Sequence, residues 1–100
     1  MIKVRVVKKR NIYDSIFVVG HAMHDEYGKD IVCSAVSSIV TTSINGILLL
    51  KKDSLKYCVE EGNVTIHSIC DDYYTQTLIQ NMLNMLMELE KSYPENIQVK

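Results

Sequence analysis

Ile2, Val4 and Val6 alternate with Lys3 and Arg5. That period of two over residues 2–7 predicts a half-buried strand. Lys9-Arg10-Asn11 is turn chemistry, and a second strand is predicted from Tyr13 to Gly20. Its run Ile16-Phe17-Val18-Val19 has no polar position, which predicts a central strand buried on both faces. Residues 22–29 show no period and read as a loop with Gly28 near its end. Beyond Asp30, Val32, Val36, Ile39, Val40, Ile44, Ile47 and Leu48 recur at spacings of three and four, the stripe of an amphipathic helix. Asp30 suits its N-cap, because a carboxylate there accepts a first-turn N–H. The β-branched residues and Gly46 count against the helix, since both have low helical propensity.

Leu55, Tyr57 and Val59 then alternate with Lys56, Cys58 and Glu60. Glu61-Gly62-Asn63 supplies a turn, and Val64 and Ile66 alternate with Thr65 and His67, so a hairpin is predicted. Asp71-Asp72 opens a second helix, with acids where the helix dipole favours them. Leu78, Ile79, Met82, Leu83, Met85, Leu86 and Leu89 form its expected core stripe, the methionines filling gaps. Pro94 lies just past its end, and residues 96–99 suit a last short strand. The order ββαββαβ predicts an α+β fold: a mixed or antiparallel sheet of about five strands with two helices packed on it.

Composition narrows the setting. One hundred residues, 47% of them apolar, suit a single domain over residues 1–100 with a core of its own. The longest unbroken apolar runs, Ile47–Leu50 and the equally long Ile16–Val19, fall short of a membrane span. The first eleven residues lack a signal peptide's apolar block, so a cytoplasmic protein with no membrane partner is expected. Eleven basic residues against twelve acidic ones argue against broad charge-driven binding, and no direct nucleic-acid partner is expected. Lys3, Arg5, Lys8, Lys9 and Arg10 form a local basic cluster whose plainer reading is a solvated hairpin face. Three cysteines cannot all pair within one chain and none forms Cys-x-x-Cys; the default for each is a small buried hydrophobe.

The stretch Gly-His-Ala-Met-His-Asp-Glu-Tyr-Gly-Lys-Asp-Ile-Val-Cys, residues 20–33, carries the chemistry. His21 would end a strand and Cys33 would lie in the first turn of a helix, joined by a loop able to fold back. A helix N-terminus favours the thiolate and offers N–H groups to an oxyanion. A neighbouring imidazole can accept the thiol proton and return it to a leaving amine. The plainer alternative is a core cysteine and a histidine that merely ends a strand. A metal set of His21, His24, Asp30 and Cys33 is disfavoured, because a closed structural zinc site shows tighter paired spacings. No metal and no cofactor is therefore expected.

Gly20-His21-Ala22, a loop with Gly28, and then Asp30-Ile31-Val32-Cys33-Ser34-Ala35-Val36-Ser37 together resemble the ribosomal-processing cysteine protease family of bacteria, often called Prp. The likeness extends to length, element order and the Asn-Ile-Gln-Val tail. It implies a homodimeric cysteine endopeptidase that removes the N-terminal extension of a large-subunit ribosomal protein, the one numbered twenty-seven, cutting after an aromatic residue in an apolar segment. By the same resemblance Cys33 is the nucleophile, His21 the general base, Asp30 the acidic residue three before the cysteine and Ser37 the serine one helical turn after it. Ser34 departs from the family's usual alanine.

Asp30 can orient His21, cap the helix, or do both. Ser37 can position the thiol or the substrate backbone, or simply satisfy its own turn. His24 falls on no motif position and reads as a solvated loop residue; Cys58 and Cys70 are expected to be structural. A loop hinged near Gly28 would close over bound peptide and complete the site. A non-catalytic module that binds a ribosomal protein is the alternative, and selective reactivity of Cys33 would separate the two.

Overall fold

A computed structural model describes residues 1–20 and 29–100, with the side chains of Lys29 and Asp30 outside that description. Strand β1 (Ile2–Lys9) turns into β2 (Ile12–Val19) through Arg10 and Asn11 alone. Both turn residues have left-handed φ, 55° and 65°, the twist that two-residue hairpins need. The ladder slips between Val7 and Lys8: Val7 pairs with Ser15 but Lys8 with Tyr13, so Asp14 is an extra residue in β2. The Gln76 side chain caps the groups freed beside this bulge. It accepts from the Tyr13 N–H at 2.9 Å and donates to the carbonyls of Tyr13 and Cys70 at 3.0 and 2.9 Å.

The first helix, α1 (Lys29–Leu50), is followed by the hairpin β3 (Lys56–Glu60) and β4 (Asn63–His67), then by α2 (Tyr73–Ser92) and β5 (Ile97–Val99). The sheet order is β3-β4-β2-β1-β5, antiparallel except for the parallel pair β1–β5. It is thus a mixed five-stranded sheet in the order ββαββαβ.

One face of the sheet carries the core. Ile2, Val4, Ile16, Val18, Val64, Ile66 and Ile97 meet Val32, Val36, Val40, Ile44 and Ile47 of α1 and Ile79, Met82, Leu83 and Leu86 of α2. Burying each such side chain contributes about 1.5–3 kcal/mol. The helical penalty of a β-branched residue is at most about 0.7 kcal/mol, so burial decides the conformation of α1 despite its valines and isoleucines. An added Cβ at Gly46 would meet nothing within 4 Å, so that glycine stands on open surface.

Several expectations need correction. β2 is central in the ladder, yet it is buried on one face only: Phe17 is half-buried and Val19 is 46% exposed, because the core forms against the other face. Met85 is 49% exposed and Met87 is exposed too; of the second helix's methionines, Met82 alone fills the core. Cys58 is exposed on β3, its thiol 3.8 Å from Glu60 Oε1, because its strand lies at the sheet margin. Lys29 belongs to α1 and not to the preceding loop, so Asp30 stands inside the first turn. By length and composition Ile31–Leu50 is apolar enough to cross a membrane, which the count of unbroken apolar residues missed; serines and threonines interrupt the run at little cost in hydropathy.

Asp72 caps α2. Its carboxylate accepts from the Thr75 N–H at 3.1 Å, the Thr75 hydroxyl at 2.8 Å and Lys51 Nζ at 3.0 Å. The Thr75 N–H, then Lys51 and the Thr75 hydroxyl, hold its pKa at about 2.

Candidate active site

Cys33 is the fifth residue of α1. It is half-buried and packs against the core between Val32 and Val36, which are fully enclosed. This is two residues deeper than an N-cap at Asp30 gives, so the unpaired N–H groups of the helix precede the thiol instead of surrounding it. Ser37 follows one turn later on the same side, also half-buried. Both border an open trough of about 550 Å³ along α1, completed by Ser34, Ser38, Thr41 and Thr42. Apart from the thiol, every one of these lining side chains carries a hydroxyl, a donor and acceptor suited to a peptide backbone.

Thr41 also borders a second cavity of about 250 Å³, between α1 and the sheet margin, walled by Val40, Ile44, Asn45, Tyr57, Val59 and Val64. A polar channel beside a thiol, with a largely apolar notch next to it, suits an extended peptide that carries apolar side chains.

The strand that leads to His21 is anchored at its last described residue. Gly20 has φ +89°, and a Cβ there would stand 2.9 Å from the carbonyl oxygen of Met1. Its N–H donates to the Gly62 carbonyl at 3.0 Å. Both the backbone angle and the close approach require glycine. His21, His24 and Gly28, and the side chain of Asp30, lie outside the described residues. The structure therefore brings Cys33 and Ser37 together and leaves the predicted histidine–cysteine pairing, the metal alternative and the hinge without a measured geometry. Ser38, Thr41 and Thr42 were not singled out from the sequence; their spacing of three and four, with Ser34, was the available signal.

The cysteine protease Prp family model matches residues 1–98. The chain belongs to the Prp family of ribosomal-processing cysteine proteases. It is 34% identical to the ribosomal processing cysteine protease Prp of Staphylococcus aureus over 87 residues, covering 84% of this chain and 82% of that one. The Bacillus subtilis Prp is 27% identical over 92 residues, covering 85% and 82%. The fold superposes on the S. aureus Prp crystallised with a substrate peptide at a TM-score of 0.92, with 31% identity and coverage of 100% and 98%. The same enzyme with a covalently linked product peptide gives 0.87 at 32% identity, again over 100% and 98%. The Gly-His-Ala and Asp-Ile-Val-Cys segments thus led to the family and fold that the comparisons establish.

Proposed function

We propose that Cys33 and His21 form the catalytic pair of an endopeptidase that removes the N-terminal extension of the large-subunit ribosomal protein numbered twenty-seven. The carrying observation is Cys33 on an open, hydroxyl-lined trough that shares Thr41 with a largely apolar notch. The peptide-bound state of the S. aureus relative supports a peptide substrate, and its covalently linked product supports covalent chemistry.

His21 takes the thiol proton, and the thiolate sulfur of Cys33 attacks the scissile carbonyl carbon. N–H groups at the start of α1 stabilise the oxyanion. As the tetrahedral adduct collapses, the carbon–nitrogen bond breaks and the imidazolium protonates the departing amine. Water, deprotonated by the same imidazole, then hydrolyses the thioester and returns the thiol. Asp30 orients His21 or, in the first turn of α1, adds negative charge at the positive end of the helix dipole; Ser37 positions the thiol or the peptide backbone, and Gly28 serves as the hinge of a segment that closes over the peptide. The enzyme works in the cytoplasm as a homodimer.

Cleavage of the extended ribosomal protein tests the assignment. Cys33→Ala should abolish processing with the fold intact. His21→Ala should slow it roughly a hundredfold or more, and His24→Ala should leave it near the wild-type rate. Wild-type processing by the Cys33→Ala protein would refute the nucleophile, and a defect confined to His24→Ala would reassign the base.

A further inference from the structure

The sheet face turned away from the helices is sorted by charge. Side chains alternate between faces along a strand. Ile2 and Val4 of β1 point into the core, so Lys3 and Arg5 stand on the outer face. Register places Val19 beside Lys3 and Phe17 beside Arg5. On the other side Gln98 pairs with Lys3, and Lys100 is bound between Val4 and Val6 by two backbone hydrogen bonds of 2.8 Å. The Arg5 guanidinium lies over the Phe17 ring, 4.8 Å from its centroid. Lys3, Arg5, Phe17, Val19, Gln98 and Lys100 border a shallow cavity of about 370 Å³.

The overall charge of −1 conceals this arrangement. The first 13 residues hold five basic side chains and no acid, leaving six basic against all twelve acidic residues to the rest of the chain. Among the described residues, Asp14 is 3.7 Å from Lys9 at the hairpin end, Glu60 lies on β3, beyond β2 and β4, and Glu90 accepts from the Val99 N–H at 3.1 Å, next to Lys100. The sequence-level expectation of no nucleic-acid partner averaged over this segregation.

We infer that this outer face binds single-stranded RNA, with phosphates on Lys3, Arg5 and Lys100 and a base stacked on the outward plane of the Arg5 guanidinium. A guanidinium already held over a ring is a pre-ordered stacking surface, and bases stack on such planes. Gln98 supplies an amide within the same cavity for a base edge. A second copy of the chain is a poor occupant, because a two-fold contact through this face would set one basic patch against another. The inference stands on the outer face alone and is independent of the proposed catalysis.

Fluorescence anisotropy of a labelled single-stranded RNA of roughly 12 nucleotides, titrated with the full chain, tests it. Three phosphate contacts predict a log–log salt slope of about −2 between about 50 and 200 mM salt. The combined Lys3→Gln, Arg5→Gln and Lys100→Gln protein should bind roughly tenfold or more weakly and cleave a short peptide at the wild-type rate. Lys3→Gln with Lys100→Gln, which leaves the Arg5–Phe17 contact intact, should still weaken binding severalfold. Undetectable binding by the wild type at low salt overturns the proposal. So does equal or tighter binding of poly-glutamate, duplex RNA or single-stranded DNA, or a change in sedimentation with RNA affinity unaltered.

Discussion

Replacing Gly20 by alanine tests whether the end of β2 is held in one place for the histidine that follows it. At φ +89°, a residue with a Cβ is strained by about 1–2 kcal/mol. The new Cβ would also stand 2.9 Å from Met1 O and 3.9 Å from Ile2 Cα. Neither chain retreats freely: the Gly20 N–H is bonded to Gly62, and the Ile2 N–H to the Asn96 carbonyl at 2.9 Å. With about 1 kcal/mol or more for the overpacked contact, the total cost is roughly 2–4 kcal/mol. For a domain of this size that lowers Tm by roughly 10–25 °C. Displacement of the adjacent His21 by a fraction of an ångström should also cost at least about tenfold in kcat/KM, well below the new Tm. Circular dichroism and peptide cleavage measure the two effects separately. Gly20→Asn separates the causes, because asparagine tolerates positive φ better than alanine while bringing the same Cβ. If the alanine variant melts and cleaves like the wild type, the reasoning is refuted. A lower Tm with unchanged kcat/KM removes the link to His21 and leaves the strain.

Other consequences follow from single contacts. Gly46→Ala adds a Cβ into open space in mid-helix, so chemical denaturation should show a gain of about 0.5–1 kcal/mol. Gln76→Ala leaves the Tyr13 and Cys70 backbone groups without their amide partner and should cost about 1–3 kcal/mol; Gln76→Glu should not rescue it, since a carboxylate cannot donate to the two carbonyls. Asp72 has a folded pKa of about 2 against 3.8 for the free side chain, so its charge stabilises the fold above pH 3.8 and that contribution disappears as pH falls towards 2. The stability gap between wild type and Asp72→Asn, followed by urea unfolding across that window, should therefore close on acidification; a constant gap would contradict the assignment.

The sequence disclosed those features whose causes are local or periodic. The stripe from Val32 to Leu48 and the alternation through Val64 and Ile66 record burial on one side, so each names its element. The run Ile16–Val19 misled because an apolar side chain at a half-buried or exposed position leaves no mark in the pattern; only the placement of both helices shows that Phe17 and Val19 face outwards. The bulge at Asp14 was invisible for another reason: the amide that caps it, Gln76, is 63 residues away from Tyr13. Around the site, the four-residue spacing of Cys33 and Ser37 was legible, but the hydroxyls of Ser38, Thr41 and Thr42 acquire meaning only from the trough that joins them.

The direction of the Cys33 side chain follows from the packing of α1 as much as from any hydrogen bond. Val32, Val36, Val40, Ile44 and Ile47 are buried against the sheet and α2, and together they fix the rotation of the helix. Rotating α1 by one residue about its axis, roughly 100°, would withdraw several of these at about 1.5–3 kcal/mol each. It would also press hydroxyls of the opposite face into the core, where each unpaired one costs about 1–3 kcal/mol. No rotation of that size can compete with the observed one, so the stripe that makes α1 a core helix also sets Cys33 at the edge of that core, facing the trough. A small protein can thus aim a thiol without a dedicated scaffold around it. The corollary is that Val36→Ser, one turn from the thiol and touching no substrate, should impair cleavage along with stability, whereas Ser34→Ala on the exposed side of the helix should leave the fold unaffected.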